Sequence, residues 1–292
     1  MALPRLPHAG ETVAGGALVV NQGGKGANQA VAARLLGAEV RMIGCVGQDD
    51  GGARIRERLA QAGIGVDGLM SVPDAVTGTA LIVVDPEGRN QIGVALGAND
   101  RLTVEMAQRH EASIAWADVL LCQLETPIPV ARWGLECAKR HGVTTILNPA
   151  PAQPLADDLL ALVDYLTPNE TEAQTLSGIE VLEVESAREA AHQLLERGAR
   201  RVIVTLGGQG ALACDQAAVL HFPAFPVKVI DTTAAGDAFS GALAVGIAAG
   251  GTLEQAIPLA AAAAALACTK RGAQDSLPGG KDVERFLQSQ SG

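Results

Sequence analysis

The sequence predicts an α/β protein with a mostly parallel central sheet and a smaller β-sheet inserted beside it. Three observations carry this. From residue 103 to residue 205, short aliphatic runs alternate with helical stretches, the pattern of strands joined by crossover helices. Between residues 79 and 94 that alternation breaks, and two strand-like runs flank Asp85-Pro86-Glu87-Gly88, a hairpin turn with Pro at a favoured position. Finally, Glu125, Asn148, Asn169 and Gly207-Gly208-Gln209-Gly210 each follow a predicted strand, which is where ligands bind in open α/β sheets.

In chain order, Ala17 to Val20 is a short strand, expected to join the hairpin. The inserted sheet would then draw on about residues 10–22 and 77–97 of a single domain spanning 1–292. A glycine loop, Asn21 to Gln29, opens a helix that stops at Gly37. Val40 to Ile43 is a strand, and Ile55 and Leu59 mark a helix ending at Gly63. Thr79 to Val84 and Asn90 to Val94 form the hairpin. The regular part reads as helix 103–112, strand Val119–Gln123, helix Ile128–Arg140, strand Thr144–Leu147, helix Leu155–Leu162, strand Tyr165–Thr167, helix Ser186–Arg197 and strand Arg201–Thr205. Val227 to Ile230 reads as a strand before a helix over Ala238–Ala249, and Ala260–Ala267 as a helix packed on the sheet.

Composition narrows the partners. A net charge of −10 argues against nucleic acid or an anionic membrane, and the longest apolar stretches are too short to span a bilayer. The five cysteines contain no Cys-x-x-Cys pair and read as reduced thiols of a cytoplasmic protein, with no disulfide framework or zinc site. The five histidines are dispersed and receive no role.

The densest motif is Asp231 to Gly241. Its Ala234-Ala235-Gly236 turn lets a ligand approach the backbone, and the helix start behind it offers N–H groups and a positive dipole end to an anion. A carboxylate at Asp237 would repel a phosphate, so it reads either as a general base for an attacking hydroxyl or as an ordinary first-turn helix acid. Gly23-Gly24-Lys25-Gly26-Ala27-Asn28 is not a Walker A sequence; its donors suit a hydroxyl-rich or anionic ligand, or it is a strand–helix turn. Asn169-Glu170-Thr171-Glu172 reads equally as a helix cap or as a phosphate- and Mg²⁺-facing group. Thr205 to Gly210 is a nucleotide loop or a plain turn into Ala211–Cys214.

Together with Leu147-Asn148-Pro149-Ala150-Pro151 and Arg271-Gly272-Ala273-Gln274, these motifs resemble the ribokinase branch of the PfkB-type carbohydrate kinases over nearly the whole chain. The resemblance implies a ribokinase-like three-layer α/β/α fold whose inserted sheet is a lid and a homodimer contact. It implies transfer of the ATP γ-phosphoryl group to the primary hydroxyl of a pentose, ribose first, with deoxyribose, a hexose, a nucleoside or a non-catalytic binding role as alternatives. Asp237 would be the base, with the anion hole at Ala235, Gly236 and Asp237 and Ala234 completing the catalytic turn. Gly24, Lys25, Gly26, Asn28 and Glu125 would meet the sugar. Asn169, Thr205, Leu206, Gly207, Gly208, Gln209, Gly210 and Gly236 would meet the nucleotide, with Ala261 standing where a relative carries a His beside the adenine. Glu172 would be linked to Mg²⁺, and Asp231, Thr233, Ala267, Lys270, Gly272 and Ser276 would hold K⁺.

One departure stands out. The resemblance implies a first buried strand ending in Asn-x-Asp, whose Asp grips the sugar, yet no Asp precedes Asp49. The expectation is either an upstream start or a sugar site lacking one part. Weak sugar binding, lowered stability and unpaired backbone on the neighbouring strands would follow.

Overall fold

The computed structural model describes residues 1–16, 18–87 and 90–290. The chain runs through α1 (Lys25–Leu35), β1 (Arg41–Gly47), α2 (Asp50–Gln61), β2 (Gly65–Val72), β3 (Thr79–Val84) and β4 (Asn90–Ala95). It continues with α3 (Val104–Gln108), α4 (Glu111–Ala115), β5 (Val119–Cys122), α5 (Ile128–Arg140), β6 (Thr144–Leu147), α6 (Asp157–Leu160) and β7 (Tyr165–Leu166). Then come α7 (Glu170–Ser177), α8 (Val184–Glu196), β8 (Val202–Thr205), β9 (Ala211–Cys214), β10 (Val219–Phe222), α9 (Ala235–Ala248), α10 (Leu253–Ala267) and α11 (Gly280–Gln290).

Side-chain caps fix several helix starts. Asp49 accepts from Gly52 N at the head of α2, and reciprocal capping boxes form at Asn169/Glu172 and Thr252/Gln255.

Among the described residues the strands form three sheets. The largest has the order β10-β9-β8-β7-β6-β5. It is parallel from β5 to β8 and antiparallel from β8 through β10. A parallel pair, β1-β2, and an antiparallel hairpin, β3-β4, stand apart from it. The β1-β2 pair nevertheless continues the central layer. On one face Val46 and Leu69 share an apolar cluster with Val119 and Leu121 of β5 and with α1, α9 and α10. On the other, Cys45 and Met70 share one with Leu120 and α5. Helices thus cover both faces, giving a three-layer α/β/α arrangement with a small sheet at its margin.

The layer carries a seam. Among the described residues β1 pairs only with β2, and β5 only with β6. All four residues of β5 are half-buried, whereas Ile146 and Leu147 of β6 are fully covered. At the seam, Met42 of β1 and Gln123 just beyond β5 converge on Gly26: a Cβ there would lie 3.1 Å from Met42 Cε and 3.0 Å from Gln123 Oε1.

Several sequence expectations need correction. Leu18, Val19 and Val20 form no strand and are exposed, so the small sheet takes nothing from residues 10–16 or 18–22; Ala17 lies outside the described residues. The hairpin instead gains an isolated parallel bridge from Ala2 to Val84. Its turn holds Asp85 buried, with the carboxylate accepting from Glu87 N at 3.1 Å; Gly88 lies outside the described residues. Val227 to Ile230 is not a strand either. The N–H groups of Ile230 and Asp231 both turn to Cys268 O at the end of α10, so a helix carbonyl replaces the ladder. The helix over 103–112 is two short ones, α3 and α4, and that over Leu155–Leu162 shrinks to α6.

Candidate active site

The site begins where α1 and α9 lie side by side. Gly241 makes their close approach possible, since a Cβ there would sit 2.7 Å from Gln29 O and 2.8 Å from Ala32 Cβ. Asn28 meets Asp237 one turn earlier, so the two helices run in the same direction and open their N-termini on the same side. α9 is entered through Ala234, a non-glycine residue at φ 62° and ψ 11°. That left-handed conformation turns the chain sharply into the helix, a strain that folds concentrate at functional sites. Ala235 N–H bonds back to Thr232 O at 3.2 Å, and the Gly236 and Asp237 N–H groups follow in the first turn, where no intrahelical acceptor exists.

Asp237 is buried and held by two amides. Asn28 Nδ2 donates to Oδ2 at 2.8 Å, and Gln29 Nε2 donates to Oδ1 at 3.0 Å. Gln29 Nε2 also donates to Asn148 Oδ1 at 3.0 Å, Gln123 Nε2 donates to Gln29 Oε1, and Asn148 Nδ2 donates to Thr167 O at 2.9 Å. Among the described residues Asn28 Oδ1 is buried without a hydrogen-bond partner. Burial pushes the Asp237 carboxyl above its ordinary range, against the opposing pull of Lys25 and the two amides.

Lys25 is the shared cation here. Its N–H donates to Glu125 Oε2 at 2.8 Å. Burial raises the Glu125 and Glu172 carboxyls, with the Lys25 charge lowering both and the Asp237 charge raising both. One ammonium therefore faces three poorly solvated carboxylates. Gly24, at φ 94°, is backed by the same carboxylate: a Cβ there would lie 3.9 Å from Glu125 Oε2.

The neighbouring loops follow β7 and β8. Asn169 bridges Thr205 in parallel. Glu172 closes the capping box on Asn169: Asn169 N donates to Oε2 at 2.9 Å, Asn169 Nδ2 donates to Oε1 at 3.1 Å, and Glu172 N donates to Asn169 Oδ1 at 2.8 Å. Leu206 is buried, and its N–H closes the Gly207–Gln209 turn on Gly210 O at 2.8 Å. Gly207 lies against Glu170, whereas Gly208 has open space around it. Ala261 lies on α10, partly buried against the core. On the other flank, Asp231 Oδ1 accepts from Thr233 N and Oγ1, and Oδ2 accepts from Gly272 N at 3.0 Å. Ala267 and Ser276 are buried beside that link, and Ala267 O accepts from Lys270 N at 3.2 Å.

The model of the pfkB family carbohydrate kinases matches residues 2–279. The chain belongs to the pfkB family. It is 41% identical over 288 residues to the ribokinase of Haemophilus influenzae, covering 99% of this chain and 94% of that protein. It is 36% identical over 284 residues to the deoxyribokinase of Salmonella typhi, covering 97% and 93%. The solved ribokinase of Arabidopsis thaliana, complexed with ribose and ATP, matches with a TM-score of 0.92 at 32% identity, covering 98% and 94%. This pfkB-family chain therefore has the ribokinase-like fold along almost its full length.

Within that fold the structure brings together Gly24, Lys25, Asn28, Glu125, Glu172, Asp237 and the start of α9. The Asp231 cluster forms a second group just ahead of α9, and the Gly207–Gly210 loop a third beside Asn169. In the sequence Gln29 closes the glycine loop without a role of its own, and Gln123 reads as the last residue of a strand; only its position at the ligand-facing end hints at more.

Proposed function

We propose that this pfkB-family protein transfers the γ-phosphoryl group of ATP to the primary hydroxyl of D-ribose. One observation carries the reading: a buried carboxylate, Asp237, is fixed by Asn28 and Gln29 in the first turn of a 14-residue helix, beside Lys25. Its raised proton affinity suits a base that accepts the hydroxyl proton as the sugar oxygen bonds to the γ-phosphorus. The bond from that phosphorus to the β–γ bridging oxygen breaks, and ADP leaves. The Gly236 and Asp237 N–H groups would hold the charge on the transferred group, with Ala234 and Ala235 shaping the turn; the Ala235 N–H joins only by giving up Thr232 O.

Gly24, Lys25, Gly26, Asn28 and Glu125 would bind the sugar. The unpartnered Asn28 Oδ1 offers an acceptor to a sugar hydroxyl. Asn169, Thr205, Leu206, Gly207, Gly208, Gln209 and Gly210 would line the nucleotide, with Ala261 at its far side. Mg²⁺, when bound with ATP, neutralises phosphate charge. Both Glu172 oxygens already serve Asn169, so Glu172 fits it through a water on a remaining lone pair. The hard oxygen donors around Asp231, Thr233, Ala267, Lys270, Gly272 and Ser276 fit K⁺ as a brace on the Asp231–Gly272 link.

The exposed apolar residues Leu81, Ile82 and Val94 of the hairpin, with Leu18, Val19 and Val20 also exposed, support a lid that also joins two copies. Among the described residues no helix is long and apolar enough to cross a membrane, and a cytoplasmic, small-molecule role is proposed with this reading.

ADP formation from Mg-ATP and K⁺ is measured with D-ribose, 2-deoxyribose, a hexose and a nucleoside, with Asp237→Asn as control. Ribose-dependent turnover abolished in the control supports the proposal. Preference for 2-deoxyribose would move the reading to the deoxyribokinase branch, which the Salmonella relative keeps in view. ATP binding without sugar-dependent turnover would overturn it.

A further inference from the structure

We infer a binding site for a thiophilic divalent metal ion, of the Zn²⁺ class, where α4 meets α5, formed by Glu111, Cys137 and His141. Cys137 in the last turn of α5 and His141 at its C-cap stand one turn apart, on the same side of the helix end. Glu111 opens α4 opposite them. His141 Nε2 is 2.9 Å from Glu111 Oε1, and one ligand atom from each of the three residues lies within 4.8 Å of the others. Sequence spacing hides this site because the pattern is Cys-x-x-x-His plus a carboxylate from a separate helix, rather than a Cys-x-x-Cys pair.

The donor set is that of zinc: a thiolate, an imidazole and a carboxylate, at bond lengths of about 2.0–2.3 Å. Tetrahedral placement at those lengths puts ligand atoms roughly 3.3–3.8 Å apart, so the three need only small shifts and leave a fourth position for water.

A surface ion pair explains Glu111, His141 and Arg140, whose Nη2 lies 3.5 Å from Glu111 Oε1. It does not explain the buried Cys137 thiol, whose Sγ lies within 4.8 Å of the same carboxylate. When a metal binds, the thiol proton leaves to solvent as Sγ coordinates, His141 offers a ring-nitrogen lone pair, and Arg140, whose side chain is half exposed, withdraws. The half-exposed rims of Glu111 and His141 supply the entry path. The site lies in the helix layer opposite α1 and α9 and would pin α4 to α5 independently of Asp237.

The test titrates EDTA-treated full-length protein with Co²⁺ as a spectroscopic stand-in for Zn²⁺. The expected result is one equivalent bound with a sulfur-to-cobalt charge-transfer band, bleached by Zn²⁺ and absent in Cys137→Ser. His141→Gln and Glu111→Gln should each weaken binding roughly tenfold or more. Both residues are half exposed, so these variants decide the matter even if Cys137→Ser fails to fold. Absence of the band in the wild type, its survival in Cys137→Ser, or unchanged affinity in both surface variants would overturn the site.

Discussion

Gln29 and Asp237, 208 residues apart in the chain, share a 3.0 Å hydrogen bond in the buried heart of the site. Gln29 is itself fixed by Gln123 and Asn148, which follow β5 and β6. The carboxylate is therefore aimed by the ends of the central sheet as well as by its own helix. The arrangement depends on Gly241, which lets α1 lie close enough for both amides to reach.

Replacing Gln29 by Leu strands one Asp237 oxygen in a buried setting. A lost partner of this kind costs about 1–3 kcal/mol, and a loosened base costs roughly 10–100-fold in rate. The expected outcome is a lowered urea midpoint and a fall in kcat, with KM for ATP within about twofold of wild type. Unchanged kcat would show that Asp237 needs no positioning by Gln29.

Asp237→Asn should remove turnover by roughly 10²–10⁴-fold while stabilising the fold at neutral pH. The folded carboxyl has its proton affinity raised by burial, so its contribution is favourable below the ordinary carboxylate range and is lost as pH rises through the folded value. The unpartnered Asn28 Oδ1 lets that amide flip and accept from the new Asn. Urea midpoints of variant and wild type should separate at pH 7.5 and converge toward pH 4. A constant gap would show that ionisation of Asp237 is not its source.

Gly210 sits at φ 95°, and a Cβ there would lie 2.6 Å from Ala224 N. Gly210→Ala combines a forbidden backbone with a backbone clash, and a loss of about 2–4 kcal/mol is expected. Because the residue closes the loop beside Asn169, KM for ATP should rise more than KM for the sugar. Thermal unfolding and a two-substrate kinetic matrix check both halves.

Asp49 carries the acid sensitivity of the hairpin's root. Its carboxylate accepts from Gly52 N at 2.7 Å, Thr77 N at 2.7 Å and Thr77 Oγ1 at 2.5 Å, which hold its pKa down to about 2. A depressed value contributes stability above the ordinary carboxylate range that is lost as pH falls through the folded value. Wild type should therefore lose stability between about pH 4 and pH 2. Asp49→Asn should start lower and change less over that window, as read by near-UV circular dichroism during acid titration.

Much of this architecture is legible in the sequence where local and tertiary preferences agree. The strand at Val202–Thr205 is a continuous β-branched run, and α5 carries an apolar stripe, so both read correctly. β2 does not: Gly65, Asp67 and Gly68 are poor strand formers, and Gly68 is there because β1 passes too close for a side chain, with Met42 O 2.7 Å from where a Cβ would be. Pro258 hides the first turns of α10, which Thr252 and Gln255 start with a capping box. Val227–Ile230 and Leu18–Val20 fail the other way, since apolar-rich runs without a ladder partner make no strand. In the site, the motifs mark Lys25, Asn28 and Asp237, but the Gln29–Gln123 link is a tertiary fact that spacing cannot encode.

The seam between β1 and β5 changes how the molecule comes apart. Two ladders not joined by backbone hydrogen bonds need not open together, so β1 and β2 can unzip as one cooperative unit while β8 and β9 keep their amides shielded from exchange. The polar stitches across that divide include the Lys25 amide on Glu125, with Gln123 on Gln29 beside it. A molecule gripped by Lys25, Asn28 and Glu125 would act as a rivet through the layer, and its departure would free the two halves to breathe.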